Sequence, residues 1–146
     1  MPEQPFLILD GNQKREARTD EFPSGLHRYF AQATSTQATT SNTFATILTL
    51  TTPVIPAGNY RIDWSFLFQT DSTNRSIEAR ILVDGVEQWL MRGVTTNSDG
   101  RRSGAGTKVL ALTSAAHTIE LQYVKVGGGG QAVTVYDRNI CIQRWS

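Results

Sequence analysis

The sequence predicts an all-β protein, an antiparallel sandwich of two sheets, and three observations carry the prediction. In Tyr60-Arg61-Ile62-Asp63-Trp64-Ser65-Phe66-Leu67-Phe68-Gln69 the even positions are apolar or aromatic and the odd ones polar, Leu67 excepted. That period of two marks a strand with one buried face. Asp84-Gly85 stands between apolar Val83 and Val86, a hairpin signal because a type I′ turn needs positive φ at both central residues. No segment carries a helical pattern beyond a turn or two at residues 13–18. Parallel sheets need crossover helices, so the strands pair mainly antiparallel.

Taken in chain order, Phe6, Leu7, Ile8 and Leu9 form a short apolar run, and residues 10–28 mix acidic and basic side chains. Residues 31–43 (AQATSTQATTSNT) hold almost no large apolar group. Such a stretch cannot offset its ordering entropy by its own burial. It reads either as a surface loop or as an arm lying on a neighbouring subunit, in which threonine tolerates strand geometry. Strands follow at 44–51, at 60–69 after a Pro56-Ala57-Gly58-Asn59 turn, and at 76–83, where Ile77, Ala79, Ile81 and Val83 face one way. The hairpin returns as 86–92; glycine-rich 93–106 reads as a long mobile connection, and strands resume at 107–113 and 117–126. Four glycines at 127–130 precede 131–136 and 140–145, whose alternation is shifted by Asp137-Arg138-Asn139 as by a bulge.

About eight strands with turn signals every 8–14 residues or so divide into two packed sheets, as in a jelly roll. An immunoglobulin-like sandwich is the alternative, although its paired cysteines are absent. The expected organisation is an N-terminal strand and extended arm over 1–43 and a sandwich domain over 44–146.

Composition narrows the function. The 146 residues suit one domain, and 39% hydrophobic with 18% charged residues is neither disordered nor membrane-like. Fourteen basic residues against 13 acidic ones give a net charge of +1, which argues against a direct nucleic-acid partner. No window approaches the roughly 18 apolar residues of a membrane span, and no export signal precedes residue 6. A soluble protein made in a cytoplasm, with no membrane partner, is expected.

Catalytic and metal-binding patterns are weak. Cys141 is the sole cysteine, which excludes an intrachain disulfide and a cysteine-rich zinc site. Between Ile140 and Ile142 it reads as a buried inert thiol. His27 and His117 are far apart in sequence; His117 opens a strand, where it caps or packs. Residues 127–130 lack the Lys-Ser/Thr and the helix of a phosphate cradle. Asp71-Ser72-Thr73-Asn74 lacks the glycine and terminal glutamate of a calcium loop, and Asn74-Arg75-Ser76 matches a glycosylation sequon by chance. No catalytic residue, cofactor or metal ligand is assigned, and no enzyme is expected.

The aromatic residues remain. Trp64, Phe66 and Phe68 share the inward face of one strand and read as core. Trp89 and Met91 lie opposite Val86 and Leu90, so one of those faces meets something other than water. Trp145 stands beside Arg144 near the end of the chain. Core packing and an exposed interface patch are both open for these residues; a carbohydrate-stacking platform is the third option. The interface set is Phe6, Leu7, Ile8, Leu9, Trp89, Met91 and Trp145.

Over residues 57–146, the order AGNYRIDWSFLFQ, RSIEARILVDGVEQW, AAHTIELQYVKVGGGGQAVTVY and NICIQRW resembles small jelly-roll cement (decoration) proteins of tailed-bacteriophage heads. It is similar, more loosely, to other phage virion jelly rolls and to tumour-necrosis-factor and complement C1q-like domains. The resemblance implies a non-enzymatic virion protein, a homo-dimer or homo-trimer that binds the outside of the capsid and bridges neighbouring copies of the major capsid protein. A tail, collar or fibre-tip component and a carbohydrate-binding module are the alternatives. In the implied design the sandwich is the rigid module, and residues 1–43 reach a neighbour's sheet edge.

Overall fold

The computed structural model describes the backbone of residues 7–10 and 13–16, and all of residues 27–70, 76–93, 100–127 and 132–145. Eleven strands and no helix occur among them. A hairpin of β1 (Leu7–Asp10) and β2 (Gln13–Glu16) forms a two-stranded sheet of its own. The remaining strands are β3 (Arg28–Ala33), β4 (Gln37–Thr39), β5 (Ala45–Thr51), β6 (Gly58–Thr70), β7 (Ser76–Val83), β8 (Val86–Gly93), β9 (Arg102–Leu112), β10 (Thr118–Val126) and β11 (Val133–Arg144). One sheet has the order β5-β10-β7-β8; the other runs β3-β11-β6-β9, with β4 also on β11, and every pairing is antiparallel. Leaving aside β4, two interleaved four-strand orders of this kind are the winding of a jelly roll.

The core follows from the alternation. Tyr60, Ile62, Trp64, Phe66 and Phe68 of β6 meet Ile77, Ala79, Ile81 and Val83 of β7 and Ile119, Leu121 and Tyr123 of β10 between the sheets. Each of the isoleucine, leucine, valine and phenylalanine side chains among them contributes about 1.5–3 kcal/mol when fully buried. Asp84 and Gly85 turn the β7–β8 hairpin with φ of +51° and +78°, the left-handed pair that the Asp-Gly signal requires. Three aromatic rings of β6 reach glycine backbone at one side of the sandwich: Phe68 lies under Gly93, Phe66 under Gly104 and Trp64 under Gly106. A Cβ on Gly93 would lie 2.6 Å from the Phe68 ring, closer than any packed pair of carbons.

β11 is one long strand with a bulge between Val135 and Arg138. The extra residues reset its alternation, so that Arg138, Ile140 and Ile142 all turn inward. Arg138 is buried, and among the described residues no carboxylate pairs with it. Its Nε donates to the Ile47 carbonyl of β5 at 2.7 Å; Nη1 donates to the Ser35 carbonyl at 2.6 Å and the Tyr136 carbonyl at 3.1 Å. The guanidinium thus joins the break between β3 and β4 to the bulge and to the opposite sheet. Burial pulls its pKa below the ordinary arginine value, against the pull of nearby Tyr123. Burial likewise pushes the Tyr123 phenol up to about 12, opposed by the Arg138 charge.

Four segments depart from expectation. Residues 13–16, expected to allow a turn of helix, form β2. Within 31–43, where a loop or arm was expected, β4 and half of β3 pair with β11; backbone hydrogen bonds to a long neighbour order a segment that lacks large side chains. The connection expected over 93–106 is shorter, because Arg102–Leu112 is strand: its glycines make room for aromatic rings. The two terminal strands are a single bulged one. The turn at 71–75 and the glycines at 128–130 lie outside the described residues.

Candidate interaction face

The two sheets present unlike surfaces to solvent. On the outer face of β5-β10-β7-β8, β7 alternation places Glu78 and Arg80 outward, and cross-strand partners meet them. Arg92 pairs with Glu78; Arg80 donates to Gln122 at 2.9 Å, lies 3.5 Å from Glu87, and sits over the Phe44 ring. Thr46 donates to Glu120 at 3.1 Å and accepts from Gln122 at 3.0 Å. This face is a ladder of charges that water already solvates, with exposed Leu90 beside Arg80.

The outer face of β3-β11-β6-β9 is built from the other half of the β6 alternation. Register places Phe30, Cys141, Asp63 and Thr107 in one row, Arg28, Gln143, Arg61 and Val109 in the next, and Gln32, Asn139, Ser65 and Ala105 in a third. Asp63 is already neutralised, since Arg61 Nε lies 2.9 Å from both of its carboxylate oxygens. The Trp145 amide donates to the Asn59 carbonyl, and its ring lies 5.6 Å from the Arg61 guanidinium. Phe30, Val109 and Trp145 are 69%, 47% and 56% exposed on or beside this sheet. Small side chains, exposed apolar groups and few charges are what a protein–protein contact can desolvate at least cost.

The expected interface residues divide. Trp145 lies at this face. Trp89 and Met91 do not: both turn inward and pack on the core, Trp89 with its ring centroid 5.0 Å from that of Trp64. Val86 and Leu90 are the exposed residues of β8. Leu7, Ile8 and Leu9 lie on β1, whose side chains are not described, and Phe6 lies outside the described residues. Phe30 and Val109 were missed, although Val109 alternates with Leu110 in a strand that was recognised. Cys141, expected to be buried, is half-exposed on the outer face, where Arg28 Nε lies 3.4 Å from its Sγ.

His117 is buried and holds both ring nitrogens against acceptors: Nδ1 lies 2.6 Å from Asp84 Oδ2, and Nε2 lies 3.0 Å from the Thr113 carbonyl. A general base needs a free ring nitrogen facing a nucleophile's proton. Here Nε2 faces a carbonyl, which only accepts, so the couple is not built as a catalytic dyad. His27 Nδ1 lies 3.4 Å from the Tyr29 hydroxyl. Among the described residues no group of three His, Cys, Asp or Glu side chains could hold a metal ion.

The winding and layers define a jelly-roll sandwich, and solved viral capsid jelly rolls share it. The structure of the infectious bursal disease virus Gx strain matches over 97% of this chain with a TM-score of 0.63 at 15% identity; the VP2 subviral particle of that virus matches over 97% with a TM-score of 0.62 at 14% identity. This chain spans 36% and 37% of those chains, little more than a third. Dimeric latent PorU from Porphyromonas gingivalis matches over 82% of this chain and 13% of its own, with a TM-score of 0.51 at 10% identity. At these identities the likeness is one of fold. No protein-family model and no curated protein matches the sequence.

Proposed function

We propose that this chain is a non-enzymatic structural protein of a virus particle, of the cement kind that binds the outside of a tailed-phage head and bridges neighbouring capsid subunits. The observation that carries this reading is the contrast in charge between the two outer faces: one is a ladder of paired charges with Leu90 among them, the other a surface with few charges that bears Phe30, Val109 and Trp145. A protein that works by adhesion needs such a surface on a rigid slab. The fold shared with virus particle structures supports the same reading, as does a buried histidine whose nitrogens are both engaged. In this reading the partners are further copies of the chain, as a dimer or trimer, and the major capsid protein.

Quantitative mass spectrometry of purified particles tests it. The cement role requires this chain at hundreds of copies per particle. A handful of copies would place it in a tail, collar or fibre tip, and absence from particles would overturn a virion role.

A further inference from the structure

We infer that His117 and Asp84 form a pH-operated latch that holds together the three connections at one end of the sandwich. The connections are the segment after β5, the β7–β8 turn and the β9–β10 segment. His117 reaches all of them. Its backbone amide donates to Thr52 Oγ1 at 3.0 Å and its carbonyl accepts from the Thr52 amide at 2.9 Å. Its ring meets Asp84 in the turn and the Thr113 carbonyl in the β9–β10 segment. Asp84 closes the arrangement, because its other oxygen accepts from the Thr118 amide at 2.9 Å and its own amide donates to the Thr118 carbonyl at 2.8 Å.

The ring's two partners decide its protonation. A carboxylate and a carbonyl both accept, so both bonds form only when both nitrogens carry a proton, which is the imidazolium. Among the described residues Asp84 is the charged group that faces the ring; the segment after β5 contributes the Thr52 hydroxyl and the β9–β10 segment the Thr113 carbonyl. Burial opposes the charge, but the Thr113 bond, the Asp84 bond and the Asp84 charge outweigh it and hold His117 above the usual 6.5. Asp84 is raised by burial and lowered more by His117 and the Thr118 amide, ending below 3.8.

The sign follows. The His117 part of the latch is complete below pH 6.5 and is lost as pH rises through the folded-state value. The Asp84 part is present above pH 3.8 and is lost as pH falls through its lowered value. When the ring loses a proton, the carboxylate keeps its bond, and the bare Nε2 lone pair meets the Thr113 carbonyl. The β9–β10 segment must then move. Its Ala115 bridges Ile55 in the β5–β6 connection, so the connection carrying exposed Val54 loosens with it.

The test is an NMR titration of the full chain that follows the His117 ring together with amide hydrogen exchange at Ile55, whose amide donates to the Ala115 carbonyl, with core Leu121 as the reference for base catalysis. His117 should titrate above 6.5, and exchange at Ile55 should accelerate about tenfold more than at Leu121 across that titration. Asp84→Asn keeps a residue that tolerates the left-handed turn, and in it both the ring's midpoint and the onset of loosening should move to lower pH. A native ring that titrates at or below 6.5, or an Ile55 amide that tracks Leu121 throughout, would overturn the latch.

Discussion

The indoles of Trp64 and Trp89 meet with centroids 5.0 Å apart and planes inclined by 57°. Trp64 comes from β6 in one sheet and Trp89 from β8 in the other, so this contact closes the side of the sandwich where β8 and β9 are the free edges. Lys108 of β9 reaches across the same gap to the Gln88 carbonyl at 2.9 Å, occupying an acceptor that another strand could use.

The two outlying tryptophans should therefore behave in opposite ways. Trp89→Ala opens a cavity between the sheets and should cost about 3 kcal/mol. Trp145→Ala removes an exposed ring and should change stability by no more than about 0.5 kcal/mol. Urea unfolding of the two variants separates them; equal losses would contradict the placement of Trp89 in the core.

Arg138 should be as sensitive as any core residue. Truncation to alanine leaves the buried Ile47 carbonyl without its donor, and an unpaired buried group costs about 1–3 kcal/mol; the Ser35 and Tyr136 carbonyls are only part-buried, and water can replace the guanidinium there. A loss of about 2 kcal/mol is expected. Arg138→Lys keeps the charge but loses the planar fork that serves several acceptors at once, so it should recover only part. Full recovery by lysine would show that charge, not geometry, matters there.

Much of this fold was legible because long strands announce themselves. The inward residues of β6 and the Asp-Gly turn stand where periodicity and φ preference put them. What the sequence hid has physical causes. β3 and β4 draw their order from the backbone of β11, and Ala, Thr and Gln side chains carry no trace of that. Gly104 and Gly106 look like loop residues, yet they are strand residues made small by the rings of Phe66 and Trp64. Of the candidate face, Trp145 was visible as an oddly placed aromatic. Phe30 was not, because its segment lacks a hydrophobic pattern, and the coming together of His117 with Asp84 over 33 residues leaves no local signal.

The boundary of the folded unit is a direct consequence. Among the described residues, removing 1–26 deletes no strand of either sandwich sheet, so the remainder should unfold cooperatively with a midpoint close to that of the full chain. Removing residues 1–43 takes away β3, β4 and the Ser35 acceptor of Arg138. That chain should be destabilised by several kcal/mol or fail to fold. Near-native stability of the shorter chain would place the sandwich boundary at residue 44, as the sequence predicts.

The claim that this protein acts by adhesion through its β3-β11-β6-β9 face is tested most directly by sedimentation equilibrium over a wide concentration range. The native chain is compared with Val109→Glu, whose exposed position should change stability by less than about 0.5 kcal/mol. The account predicts a dimer or trimer for the native chain and a monomer for the variant, since an added carboxylate, opposite an Arg61 already paired with Asp63, must be desolvated in the contact. A native chain that stays monomeric at the highest concentration, or a variant that associates as tightly as the native chain, would contradict it.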